Sequence, residues 1–276
     1  MSEFEKFKVV TRYELLKQLR RKRFYGGLGI TVLAVLLIIG LYEGLNLPAH
    51  MGIPERYINE YGAEIFAMCA TSMSSLAVLA AVFFSGDAIA GEFENRTGYV
   101  LFPNPVKRST LVIGKYSACL IATTLILLVG FLISTISVLV LYEEVPIGIL
   151  GSLAIALALA CCIISMAFAF SSALKGSMGA TIATLLAYMV IFPIISSSLA
   201  QAGYTPWFMP DRAADSMSAT YDIPLEEVFG GWMRGGAIPG MVQASEDPFT
   251  SFCVLLAYAV VLLMASLWMT NRREMI

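Results

Sequence analysis

Residues 85–116 hold Asp87, Glu92, Glu94, Arg96, Lys107, Arg108 and Lys115, in a chain of 276 residues that is 14% charged and 58% hydrophobic. Such a concentration of charge could hydrolyse a nucleotide, move a proton or dock a partner. Nucleotide hydrolysis needs a phosphate-binding loop. The nearest string, Ile113-Gly114-Lys115-Tyr116, lacks the upstream glycine and the Ser/Thr after the lysine. Proton or ion coupling places ionisable groups inside the membrane. No long apolar segment here has one near its middle, and Glu64, Lys115 and Glu143 fall at segment ends. No His-Glu-x-x-His run, aspartate pair or serine–histidine dyad lies at depth, which argues against intramembrane proteolysis. The single histidine is His50, and the five cysteines (Cys69, Cys119, Cys161, Cys162, Cys253) all sit in apolar runs. They read as small packing residues rather than metal ligands or a disulfide framework. Docking remains. The stretch reads as a handle by which something outside the membrane moves the part inside it.

The handle has a shape. Asp87 follows Gly86 as a candidate N-cap, and Ile89, Phe93, Thr97 and Val100 recur on one helical face. Glu92, Asn95 and Arg96 lie off the centre of that face. Pro103-Asn104-Pro105 stops the helix, since two prolines forbid its continuation.

Six apolar segments flank and follow it, each long enough for a bilayer core of about 30 Å. They run over about Phe24–Tyr42, Ile65–Phe84, Tyr116–Leu141, Ile147–Phe170, Met178–Leu199 and Phe249–Met269. Mean hydropathy is +0.77. Apolar and charged fractions both depart in the membrane direction from the roughly 45–50% and 25% of soluble domains. The sequence predicts an all-α, polytopic membrane protein forming one transmembrane domain over residues 1–276. Fifteen of the eighteen lysines and arginines fall in residues 1–24, in 85–115, at Lys175 and at Arg272-Arg273; Arg56, Arg212 and Arg234 fall on the opposite side. The positive-inside rule then puts both termini in the cytoplasm. The net charge of −2 gives no signature for nucleic acid. The polar, basic first 23 residues do not have the form of a cleavable signal peptide.

Within residues 1–23, Val9, Val10, Tyr13 and Leu16 recur at helical spacing among Lys8, Arg12 and Lys17. That pattern predicts an amphipathic elbow helix lying on the membrane, ahead of the Arg20–Arg23 basic cluster. On the other side, residues 200–248 form a large acidic loop with apolar patches, Trp207–Met209 and Val228-Phe229 to Trp232-Met233. Short helices at or dipping into the outer face are expected there. Gly176-x-x-Gly179 and Ser134-Thr135-x-Ser137 predict close helix packing, and Pro193 a kink near the outer end of the fifth segment.

At this point the chain resembles a known family. Asp87-x-Ile89-x-x-Glu92-x-Glu94, Arg96-Thr97-Gly98, Pro103-x-Pro105-Val106-Lys107-Arg108 and Gly114-Lys115 resemble the pattern of type-2 ABC transporter permeases. Two departures are the reversed Thr97-Gly98 order and Lys107 in place of a serine. The six segments, the basic elbow and the large loop before the last segment extend the resemblance over the whole chain. It implies that the helix after the second segment docks on a separate cytoplasmic ATPase, with Asp87, Glu92, Phe93, Glu94 and Arg96 as coupling residues. It implies a permease subunit, here of exporter type, that is not itself an enzyme. This chain would then carry no cofactor or metal, and ATP and Mg would belong to the partner. The expected partners are that ATPase, a second copy of this chain and the bilayer of the cell membrane. Two alternatives stand beside it: an ATPase-driven scaffold that transmits motion to an extracytoplasmic partner, and an ATP-independent secondary transporter. For the loop itself, the plain alternative is that these residues only cap helices and mark the cytoplasmic side.

Overall fold

The computed structural model describes residues 2–50, 53–71, 74–94, 107–174, 176–224, 228 and 247–272. Among them there is helix and no strand. Six helices are long and apolar enough to cross a membrane: Lys22–Gly44, Glu55–Ser85, Arg108–Tyr142, Gly148–Ala173, Ser177–Gln201 and Pro248–Arg272. These are the six predicted segments with longer ends.

The lengthening matters most at the third span. Its 35 residues make a rod of about 50 Å at 1.5 Å per residue, well beyond the roughly 30 Å hydrocarbon core. Residues 108–115, expected as loop, are therefore the first turns of that helix. The second span is likewise longer on the far side, away from the termini. It starts at Glu55, and Tyr61 breaks its regularity (φ −125°, ψ 25°). Beside that break Gly62 lets the ring of Tyr142 approach; a β-carbon there would lie 2.9 Å from it.

The fourth span is the centre of the bundle. Ser152, Ala156, Leu159, Ala160, Ile163 and Ala167 on it are all buried. The sixth span packs along it through Ser251, Leu255, Ala259, Ser266 and Thr270. Small side chains on both helices bring the backbones close, the usual basis of helix association in lipid. The first, fifth and sixth spans turn large apolar side chains outward, among them Leu33, Leu36, Ile182, Ile194, Val260 and Val261. Facing lipid, such side chains are in their preferred medium.

Two packing expectations changed. A β-carbon added to Gly176 would meet nothing within 4 Å, and one on Gly179 only Leu174 at 4.0 Å. Those glycines do not mediate a helix contact within the chain. Ser134 does bridge helices, donating to the Ala70 carbonyl of the second span at 3.2 Å. Thr135 and Ser137 donate back to Phe131 and Ile133 on their own helix. In the fifth span, Pro193 takes a different form from a plain kink: residues Ala187–Ile191 widen into one π-helical turn just before it. The proline ring clashes with the carbonyl four residues back and supplies no N–H, and a wider turn relieves both problems.

The predicted elbow is a regular helix, Glu3–Arg20, opened by a capping box in which Glu5 N–H donates to Ser2 Oγ and Ser2 N–H to Glu5 Oε2. It lies along the first turns of the third span. Gly114 makes this possible, since a β-carbon there would be 2.6 Å from Val10 Cγ1. Val9, Tyr13 and Leu16 point outward, as an interfacial helix requires. On the far side, the segment after the fifth span forms the helix Pro210–Asp215 and a 3₁₀ turn Ser218–Thr220. Ala213, Ala214 and Met217 are buried against the bundle, so these short helices pack on the protein itself. Of the Val228-Phe229 to Trp232-Met233 patch, only Val228 falls among the described residues, and it is buried.

Candidate functional site: the turn after the second span

The second span ends at Ser85, and the chain makes a turn over Gly86–Ile89 before a short helix, Ala90–Glu94. The expected continuation through Arg96, Thr97 and Val100 to the Pro103–Pro105 stop lies outside the described residues. So do the side chains of Glu92 and Phe93. What is described is a turn tied to three other elements.

The first tie runs to the start of the first span. Asp87 was expected to cap the helix, but its side chain does something else. Its Oδ2 accepts from Arg23 Nη1 at 2.8 Å and from Arg21 Nη1 at 3.3 Å. Its backbone carbonyl takes the Gly91 N–H of the short helix at 3.0 Å. The arginines belong to the basic cluster between the elbow helix and the first span. The carboxylate thus staples the turn to the point where the chain enters the membrane.

The second tie supplies the missing cap. Ser171, in the last turn of the fourth span, is fully buried, and its Oγ accepts from Ala90 N–H at 2.7 Å and Ile89 N–H at 3.1 Å. The first N–H groups of a helix have no partner within it and need an acceptor. Here the acceptor comes from a different helix. Ile89 itself is buried in the bundle core, so it anchors the face on which it was placed.

The third tie runs to the fifth span. Glu94 Oε2 accepts from Ser177 N–H at 3.0 Å and from Ser177 Oγ. Ser177 is the first residue of that span. A carboxylate at a helix N-terminus also meets the positive end of its dipole. The hydrogen bonds from the Ser177 hydroxyl and then its backbone hold the Glu94 carboxyl below its ordinary range. Gly86 permits the same close approach: a β-carbon there would stand 2.3 Å from Thr181 Oγ1.

Behind the turn, the elbow is locked to the bundle by buried polar contacts. Lys115 Nζ donates to Glu14 Oε1 at 2.9 Å, with both side chains largely buried. Gln18 Nε2 and Cys119 Sγ both donate to the Phe84 carbonyl, at 3.2 and 3.1 Å. That carbonyl is near the end of the second span, where helix acceptors go unpaired.

Of the five predicted site residues, Asp87 and Glu94 are therefore placed at opposite ends of one small, clamped element. Glu92 and Phe93 lie on the helix between them, and Arg96 is outside the described residues. Sequence reasoning missed Ser171, Ser177, Glu14 and Gln18. The Ser171-Ser172 pair at a span end and the Glu94–Ser177 relation become visible only once distant helices are neighbours. Among the described residues no His/Cys/Asp/Glu group has the arrangement to hold a metal. The described part of the site offers charge and hydrogen-bonded anchorage to three elements.

Comparison with known proteins agrees with this architecture. Residues 9–275 match the model of the family described as "ABC-2 family transporter protein". The chain is 26% identical over 266 residues, covering 91% of both chains, to the "Probable ABC transporter permease protein NosY" of Pseudomonas aeruginosa. With the match spanning nearly its whole length, this chain belongs to the ABC-2 transporter family and is a multi-pass membrane subunit of the permease kind.

Proposed function

We propose that the chain is the membrane subunit of an ATP-binding cassette exporter, driven by a separate ATPase that docks on residues 85–115. Both termini and the docking turn then face the cytoplasm, where the elbow and the Arg20–Arg23 cluster meet the anionic inner surface of the cell membrane. ATP and Mg bind the partner, which supplies the energy. A second copy of the chain completes the permease, and substrate passes between the copies.

The observation that carries this reading is the triple anchorage of the turn. A load applied to Ala90–Glu94 pulls on the start of the first span through Asp87, on the fourth span through Ser171 and on the fifth through Glu94. A residue set that only capped helices would not need to reach three separate elements. The test is reconstitution: chain and ATPase together in sealed vesicles, with nucleotide-dependent efflux followed alongside hydrolysis. Efflux that needs ATP and both components supports an exporter. Hydrolysis stimulated by the chain without any efflux favours the second reading, a scaffold passing motion to an extracytoplasmic partner. The inward packing of Ala213, Ala214 and Met217 favours that reading specifically, because it gives the outer segment a firm grip on the bundle.

A further inference from the structure

Tyr221 lies outside the spans, yet it is among the most deeply buried large side chains. Its ring enters between the second and fourth spans. Its hydroxyl meets Thr71 Oγ1 of the second span at 2.5 Å. The Thr71 hydroxyl donates to the Ala67 carbonyl at 2.8 Å, so its proton is committed and Tyr221 is the donor in the pair. Ser152 of the fourth span adds a long contact to the same oxygen at 3.5 Å. The neighbouring Thr220 hydroxyl lies 2.7 Å from the Met217 carbonyl of its own turn and 3.0 Å from the Gly148 carbonyl at the start of the fourth span, and shares its one proton between them.

The fourth span is shaped for this insertion. A β-carbon on Gly148 would lie 2.6 Å from the Thr220 carbonyl oxygen and 2.7 Å from Tyr221 Cδ1. One on Gly151 would press on Thr220 Cγ2 at 3.0 Å. At the other end of the segment, Asp211 Oδ1 accepts from Ser196 Oγ of the fifth span at 2.8 Å. The segment Pro210–Tyr221 is thus bonded to the second, fourth and fifth spans. Those are the span that carries the docking turn and the two spans to which Ser171 and Glu94 tie it.

We infer that Tyr221 is a positioning residue that makes the outer segment Pro210–Tyr221 move with the second span when the docking turn is driven. The inference rests on the proposed ATPase coupling and adds where the motion arrives. A tyrosine that only filled space would work equally well as phenylalanine. One that transmits movement through its hydroxyl would not.

The test uses the chain with its ATPase in nanodiscs and follows hydrogen exchange at residues 86–94 and 210–223, with and without a trapped nucleotide state. In the unaltered complex both segments respond to nucleotide. In Tyr221→Phe, residues 86–94 still respond. The nucleotide response at 210–223 disappears there, and resting protection falls roughly fivefold, the factor matching one ordinary hydrogen bond. Thr71→Val reproduces the effect, and the double variant is no worse than either alone. A full response at 210–223 in Tyr221→Phe overturns the inference while leaving the coupling reading intact. So does silence at 210–223 in the unaltered complex while 86–94 responds. Silence at 86–94 in the unaltered complex removes the coupling reading, and this inference falls with it.

Discussion

Ser171→Ala is the most informative single change at the turn after the second span. The substitution removes one oxygen and adds nothing, at a site with no exposed surface. It strips Ala90 N–H and Ile89 N–H of an acceptor held at 2.7 and 3.1 Å. Loss of a capping serine costs about 1 kcal/mol (range roughly 0.5–2). A buried donor left unsatisfied costs about 1–3 kcal/mol. With two donors sharing one acceptor, a combined cost of about 2 kcal/mol is reasonable, and it corresponds to about a 30-fold change in an equilibrium. The loss falls on docking of the short helix Ala90–Glu94 against the fourth span, not on the spans themselves. Exchange of the Ile89 and Ala90 amides should therefore quicken about 30-fold, while amides in the fourth span above Ser171 keep their protection. Stimulation of the ATPase by the chain should fall alongside. Ser171→Thr keeps the hydroxyl and should retain most of both. Unchanged exchange at Ile89 and Ala90 in Ser171→Ala would refute the cross-helix cap and remove one of the three ties.

Two other perturbations probe the remaining contacts. Lys115→Ala leaves Glu14 charged and largely buried without its main partner, since Lys17 is 3.6 Å from its other oxygen and half-exposed. Breaking a buried pair from one side costs about 3–5 kcal/mol, so thermal unfolding in detergent should drop sharply. Glu14→Gln combined with Lys115→Met should recover much of the loss. The Glu94 tie depends on pH. Its carboxyl is held below the ordinary glutamate range in the folded chain by the Ser177 hydrogen bonds, so the contact is complete at neutral pH and is lost as pH falls through that lowered value. The Ser177 amide resonance should titrate there, and Glu94→Gln should abolish the titration.

Much of the architecture was legible because the bilayer imposes a simple rule on sequence. Twenty apolar residues make a span whatever surrounds them, so Phe24–Tyr42 and Phe249–Met269 could be read directly. The amphipathic elbow was legible for a similar reason, as its apolar positions repeat at helical spacing. The roles of individual polar residues were not, because they depend on neighbours far along the chain. Asp87 looked like a cap by its position after Gly86, but Arg21 and Arg23, more than sixty residues earlier, compete for its carboxylate and offer charge as well as hydrogen bonds. With Asp87 drawn away, Ser171 fills the cap, and nothing near Ser171 in sequence announces it. Glycines mislead in the same way. Gly176 and Gly179 form a recognisable packing spacing yet touch almost nothing, whereas Gly86, Gly114 and Gly148 mark the close approaches. The start of the third span was hidden by Arg108 and Lys115, which look like loop residues. In the fold they sit on a helix that outruns the membrane.

The central claim is that an ATPase docks on the turn after the second span. It is tested most directly by co-expressing the chain with a candidate ABC ATPase from the same genome and purifying by a tag on the chain. The account predicts that the ATPase is retained by the unaltered chain and lost when Glu92→Lys and Glu94→Lys are combined, with membrane insertion unchanged and Glu94→Gln still binding. Equal retention by the charge-reversed chain, or no ATPase captured by the unaltered one, would contradict it.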